Sequence, residues 1–347
     1  MNIAVTGLNA TDNPGPGVPV IRSLQNNPEF RGTIIGLAYD SLEPGIYMEK
    51  IARKNFLIPY PSSGLEALFN RLASIHSQEH LDVIIPTLDS ELYGFVKLAD
   101  RLKALGIKMF LPTFDQLNLR AKDKLFDFCS SHDIRVPKNI LVSTVQDLYG
   151  ITNHFSYPVV VKGIFYEAYI AHNFNDVMSA FEKLRMKWGL PIIVQEFVSG
   201  TEFNVAALGD GSGATVGAVG MRKLYITDKG KGWAGVTVDD KSLIGLARKT
   251  IEKLKWRSGI ELEFVREKET GEYSLLEINP RFPAWVYLAT AAGQNLPSAL
   301  VKLAWGETVQ PFATYEIGKI FVRYSWDLIT TMSQFEKLAV AGELDHG

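Results

Sequence analysis

The sequence predicts an α/β unit followed by an α+β unit, and three observations carry that reading. Through the first third, short apolar runs alternate with amphipathic helical patterns, which indicates βαβ units around a parallel sheet. A compact strand–helix–strand pattern follows Val136-Pro137, and beyond Glu202 strands dominate. At roughly 150 residues per domain, a chain of 347 residues holds two or three such units.

The elements follow in order. Ile3–Thr6 reads as a strand, Val18–Gln25 as a helix and Thr33–Ala38 as a strand. Leu65–Ser77 and Leu92–Leu105 read as helices, with strands at Val83–Pro86 and Met109–Leu111. This first unit ends near residue 115. A helix is expected at Lys122–His132, then strand Asn139–Val142, helix Val145–His154 and strands Val159–Lys162 and Ala168–Asn173. The helix Asp176–Lys187, capped within Asn173–Asp176, and the strand Ile192–Phe197 close a small unit of about residues 137–197, inside a span of 116–198. The last span, 199–347, carries strands Phe203–Leu208, Ala214–Val219, Lys223–Ile226, Ile260–Glu267 and Tyr273–Asn279, with a helix at Ser242–Leu254.

Composition excludes several function classes. Lys and Arg number 36 against 38 Asp and Glu, a net charge of −2, so there is no electrostatic footprint for nucleic acid or an anionic membrane. A hydrophobic share of 46% is that of a globular chain, neither disordered nor fibrous. No apolar run approaches the ~20 residues of a membrane helix. The N-terminus enters a strand without a basic segment, so no signal peptide is expected. Cys129 is the only cysteine, which excludes an internal disulfide and fits a reducing, cytoplasmic setting.

The most informative segment runs from Gly259 to Arg281. Glu269-Thr270-Gly271 fits a three-residue hairpin loop with Gly in the left-handed region. That loop pairs Lys268 with Glu272, and counting outward sets Glu263 opposite Glu277. Asn279 shares their face, while Leu262, Phe264, Leu276 and Ile278 fill the other. Two facing carboxylates repel unless a cation compensates them, and with an amide oxygen they form a hard-oxygen set suited to Mg²⁺ beside a phosphate. The alternative is a solvated sheet face, but Glu277-Ile-Asn279-Pro280-Arg281 ends a strand in a rigid turn, where ligand sites form. Arg281 follows at once, placed to meet an anion or developing charge.

Here the sequence resembles the ATP-grasp superfamily, closest in pattern to its carbamoyl phosphate synthase and biotin carboxylase branch. Glu277-Ile-Asn279-Pro280-Arg281 is similar to that family's metal-binding strand end, and Glu263-Phe264 to the preceding metal-bearing strand. The resemblance covers nearly the whole chain and implies an ATP-grasp fold: a preATP-grasp α/β unit (1–115), a lid, and a central antiparallel sheet. It implies Mg²⁺ (or Mn²⁺) on Glu263, Glu277 and Asn279. Ala121-Lys122-Asp123-Lys124 resembles the family's helix start, which implies that Lys124 reaches the nucleotide phosphates. Tyr157–Gly163 resembles the lid strand, which implies that Lys162 contacts the α-phosphate. Ile192–Val198 resembles the adenine-gripping linker, with the Glu196 and Val198 backbone at the purine edge, and Glu202 sits where the family binds ribose. The lid loop departs from the glycine-rich pattern: Gly163–Tyr169 has one glycine and three aromatics.

Other motifs carry less. His76-Ser-Gln-Glu79-His80 matches a zinc-peptidase pattern without a third ligand. Cys129 reads as a small core residue. Asn9–Gly17 reads as a helix entry loop, and Asp89 and Glu91 as an N-cap and a first-turn acid. Arg222-Lys223 and the loop Asp228–Thr237 make a cationic stretch suited to an acidic substrate or a transferring phosphoryl group, with a solvated hairpin as the alternative. Lys223 therefore joins Arg281 as a catalytic candidate. Met332, Phe335, Leu338 and Ala339 share one helical face, suited to docking on the body or to a homodimer contact.

Together these residues imply an ATP-dependent ligase that joins a small-molecule or peptide carboxylate to an amine or thiol through an acyl phosphate. The alternatives are a carboxylase-like reaction, for which no carrier domain is recognisable, and a nucleotide-binding regulatory protein without turnover.

Overall fold

A computed structural model of the chain describes residues 1–11, 13–122, 124–164, 167–227 and 232–347. The first unit runs β1 (Asn2–Thr6), α1 (Gly17–Gln25), β2 (Thr33–Ala38), β3 (Lys54–Leu57), α2 (Leu65–Glu79), β4 (Val83–Ile85) and α3 (Asp89–Ala104). These strands pair in parallel in the order β3-β2-β1-β4. Helices cover both faces, so the central strand reads as an unbroken apolar run: Ile3, Ala4 and Val5 are wholly buried. α1 begins hard against β1. A Cβ on Gly17 would fall 2.2 Å from the Thr6 carbonyl oxygen, a distance only glycine permits.

Two expectations change here. β3 forms where no strand is expected, because Asn55 breaks the apolar run yet lies buried and donates to the Ile46 carbonyl at 3.1 Å. Met109–Leu111 is not a strand; the residue before it, Lys108, makes an isolated parallel bridge to Val83.

After α4 (Phe114–Leu119) comes α5 (Leu125–Ser131), which starts three residues later than the pattern suggests. The small unit contains β5 (Asn139–Val142), α6 (Val145–Leu148), β6 (Val159–Gly163), β7 (Ala168–Ala171), α7 (Phe174–Trp188) and β8 (Ile192–Glu196). Its antiparallel sheet, β5-β8-β6-β7, has a core of its own built on Val142, Val161, Phe181 and Val194. The expected helix 145–154 breaks at Gly150 into α6 and a 3-10 turn. The Asn173 side chain caps α7 by accepting from Asp176 N at 3.0 Å.

The last unit holds β9 (Gly200–Asp210), β10 (Thr215–Ile226), β11 (Gly232–Thr237), α8 (Lys241–Leu254), β12 (Arg257–Glu267), β13 (Tyr273–Asn279), α9 (Val286–Ala291), α10 (Leu296–Trp305), β14 (Ile320–Val322), α11 (Met332–Ala341) and β15 (Glu343–Asp345). Six strands pair antiparallel in the order β13-β12-β9-β10-β11-β14. Two expected strands merge into β10, and Gly232–Thr237 is a strand rather than a loop. The cationic part of that loop, Asp228–Lys231, lies outside the described residues, as do Asp12, Asp123, Phe165 and Tyr166.

One face of this sheet packs on α8 through Val205, Ala207, Leu262 and Phe264. The opposite face carries Ala206, Leu208 and Val219, which α9 and α10 help to cover. Beyond those helices, towards Glu202 and Glu277, the same face turns polar. β15 pairs antiparallel with β3, so residues 343–345, placed by sequence with the last unit, belong to the first sheet. Among the described residues no helix is long and apolar enough to cross a membrane.

Candidate active site

Glu263 stands opposite Glu277 across the β12–β13 hairpin. The route to that pairing differs from the simple count. Glu267 N donates to Glu272 O at 2.9 Å and Gly271 N to Glu267 O at 3.0 Å, so Glu267, not Lys268, closes the turn opposite Glu272. Gly271, at φ +73, supplies the left-handed residue the turn requires. The ladder runs Arg266 to Tyr273, Val265 to Ser274 and Phe264 to Leu275. A register shift then places an extra residue, Leu276, in β13 and sets Glu263 against Glu277. The two offsets cancel. They also exchange the leucines: Leu275 fills the core, and Leu276 is only half-buried.

Along that face the side chains interlock. Asn279 Nδ2 donates to Glu263 Oε1 at 3.0 Å and to Glu261 Oε2 at 3.2 Å, so its amide nitrogen faces the carboxylates and its oxygen is turned from them. Lys223 Nζ lies 2.6 Å from Glu202 Oε2 and 3.3 Å from Glu263 Oε2, with 4% of its side chain exposed. Burial alone would lower its pKa; Glu263 and Glu202 outweigh that and hold it above the ordinary lysine value. Lys122 Nζ stands 3.3 Å from Glu277 Oε1.

Lys162, at the end of β6, brings the small unit over these carboxylates. Desolvation pushes its pKa down to about 8, with Lys122 adding to the fall and Glu277, Glu263 and Glu202 opposing it. Arg281 ties the hairpin to the first unit. Its Nε lies 2.9 Å from Asp89 Oδ1, and its Nη1 donates to Glu261 Oε2 at 3.0 Å and to the Phe282 carbonyl at 3.4 Å. Burial would lower its pKa, and Asp89 and Glu261 raise it, so the guanidinium keeps its charge.

Of the remaining candidates, Glu202 alone joins this cluster by an ion pair. Lys124 is exposed at the start of α5, and Lys122 is the residue that stands beside Glu277. Glu196 is exposed at the end of β8, its carboxylate accepting from Lys138 N at 3.2 Å. Val198 is half-buried in the linker between β8 and β9, and Glu202 is half-exposed and paired with Lys223. Glu79 of the zinc-like pattern is committed to Arg53 and Lys54, and His76 to the Leu81 carbonyl. Cys129 is buried, its thiol pushed up to about 12 by desolvation, which fits a core residue.

Asp89 is not the cap of α3. It is the first helical residue and pairs with Arg281, while Glu91 accepts from Thr87 N at 2.6 Å and Leu88 N at 2.8 Å. Glu91 also accepts from the Thr6 and Tyr39 hydroxyls, and burial pushes its pKa up to about 7. Sequence reasoning missed Glu261, Asn204 and Lys122. The alternation Glu261-Leu-Glu263 was the available signal, since it puts Glu261 on the same face as Glu263.

Among the described residues no three His, Cys, Asp or Glu side chains form a metal cage by themselves. Glu263 and Glu277 nonetheless offer hard oxygens that suit Mg²⁺ shared with phosphates, beside the Lys223 and Lys122 ammonium groups, each 3.3 Å away, that already supply positive charge. Asn204, buried beside them, keeps an Oδ1 with no hydrogen-bond partner among the described residues.

Residues 190–324 match the family model described as ATP-grasp in the biosynthetic pathway with Ter operon. The carbamoyl phosphate synthase large chain of Methanothermobacter thermautotrophicus is 24% identical over 257 residues, covering 69% of this chain and 24% of that one. This chain thus spans about a quarter of the length of that relative. A biotin carboxylase from Campylobacter jejuni, solved as a β-γ-ATP complex, superposes with a TM-score of 0.71 at 15% identity, covering 91% of this chain and 73% of that one. An L-amino acid ligase from Bacillus licheniformis gives 0.66 at 16% identity, covering 89% and 75%. The three-sheet architecture, the carboxylate hairpin and these likenesses agree: the chain has an ATP-grasp fold and is similar to proteins of the carbamoyl phosphate synthase and biotin carboxylase branch.

Proposed function

We propose that the chain is an ATP-dependent ligase that activates a carboxylate as an acyl phosphate and passes the acyl group to an amine or thiol. The observation that supports it is the gathering of Lys122, Lys162, Lys223 and Arg281 around Glu263, Glu277 and Asn279, where the three sheets meet. Mg²⁺ held by Glu263, Glu277 and Asn279 would neutralise phosphate charge when bound. In this reading Lys162 and Lys122 meet the phosphates of ATP, and Lys223 keeps Glu202 and Glu263 in place. Glu202 meets the ribose, and the Glu196–Val198 linker holds the adenine.

Arg281 carries a fixed positive charge to the junction with the first unit, where it orients the incoming carboxylate. The carboxylate oxygen attacks the γ-phosphorus, ADP leaves, and the nucleophile displaces phosphate from the acyl carbon. Such a transfer depends on positioning and charge stabilisation, which these side chains supply. Closure of the small unit would keep water from the acyl phosphate. Phosphate release in a matrix of carboxylates and amines tests the reading. One pair raising release well above the ATP-only rate supports it; tight ATP binding with no pair active defeats it.

A further inference from the structure

Glu261 is a charged side chain that the proposed chemistry does not use, yet it is 6% exposed and surrounded by donors. Its Oε1 accepts from Asn204 Nδ2 and from Trp285 Nε1, both at 2.8 Å. Its Oε2 accepts from Asn279 Nδ2 at 3.2 Å and Arg281 Nη1 at 3.0 Å. A buried carboxylate with four donors is satisfied by them, and in return it fixes each donor's direction. The two oxygens divide the work: Oε1 anchors Glu261 to β9 and to Trp285 at the head of α9, and Oε2 holds the site residues.

Asn279 and Arg281 need such a partner. An amide has two ends, and only one of them is a cation ligand. Glu261 and Glu263 both hold Nδ2, so Glu261 helps to fix the plane of the amide and with it the direction of the oxygen. Arg281 is held between Glu261 and Asp89, so its guanidinium plane is set from the hairpin on one side and from α3 on the other. We infer that Glu261 is a positioning residue which couples the Asn279 amide and the Arg281 guanidinium into one unit. This rests on the ligase reading, since it assigns those two groups to the metal and the substrate carboxylate.

Calorimetric binding of ATP to the full chain, with and without Mg²⁺, tests it. Glu261→Gln keeps the shape but offers Asn279 and Arg281 an amide that can point its own donor at them. The expected result is metal-free ATP affinity within twofold of wild type and an Mg²⁺-dependent gain reduced at least tenfold. Glu261→Asp keeps the charge that offsets Arg281 and only shortens the reach; it serves if the glutamine variant does not fold, with an expected three- to tenfold loss of the same gain. Trp285→Phe removes one Oε1 donor and leaves Oε2 untouched, so its Mg²⁺ gain should stay within threefold of wild type.

The inference is overturned if the Glu261 variants keep the full Mg²⁺ gain. It is equally overturned if affinity falls alike with and without metal, which is the behaviour of general damage. A wild-type chain with no Mg²⁺-dependent ATP binding removes the ligase reading itself, and this inference with it.

Discussion

Raising the pH should weaken nucleotide binding through one side chain, Lys162. In the free protein its pKa is lowered to about 8 by desolvation, against an ordinary value near 10.4. Phosphate oxygens favour the charged form, so the bound state should restore a value near the ordinary one. Between these two values the complex holds a proton that the free protein has lost. The sign follows: binding takes up protons, and affinity falls as pH rises through about 8.

At pH 8 the free lysine is half protonated, so uptake should be about 0.5 proton per nucleotide. Well above pH 8 affinity should fall by up to about tenfold per pH unit until the bound pKa is reached. Calorimetry in buffers of different ionisation enthalpy measures the uptake directly. Lys162→Arg, charged at every accessible pH, should remove that half proton and flatten the profile between pH 8 and 9 while keeping a positive group at the strand end. Equal uptake in wild type and the arginine variant would refute the assignment of Lys162 to the phosphates.

Glu277→Ala should leave the fold intact, since Glu277 is partly exposed, and cut ATP turnover by about a hundredfold or more, the scale of losing several kcal/mol of metal-held charge stabilisation; unchanged turnover removes the metal assignment. Lys223→Met strips the buried counter-charge from Glu202 and Glu263; with both carboxylates still reached by water, urea denaturation should show a loss of about 1–3 kcal/mol. Phe264→Ala empties a fully buried site under the hairpin and should cost about 3–5 kcal/mol in the same assay, with a loss below 1 kcal/mol contradicting the core assignment.

The parts of this molecule legible in the sequence are those fixed by local patterning. Alternation placed Glu263, Glu277 and Asn279 on one face, and buried runs between amphipathic helices marked the parallel sheet. The turn was read one residue off, at Lys268 instead of Glu267, and the register shift at Leu276 compensated; no composition signal announces a bulge. Glu261 stayed unread because its role is written in four distant partners: Asn204, Asn279, Arg281 and Trp285. Lys122 stands beside Glu277 while Lys124 is exposed, and a Lys-Asp-Lys triplet carries no signal of which lysine faces inward. β15 escaped for a related reason: Glu343–Asp345 has no strand pattern of its own and pairs only because β3 offers a free edge.

In the proposed reaction a substrate carboxylate is phosphorylated before it is joined. Its most direct measurement is isotope transfer, using the carboxylate that the phosphate-release matrix identifies, labelled with ¹⁸O in both oxygens. Attack on the γ-phosphorus followed by displacement at the acyl carbon carries one labelled oxygen per turnover into inorganic phosphate and leaves the other in the product. Phosphate with no label, or a product that retains both labelled oxygens, would contradict it.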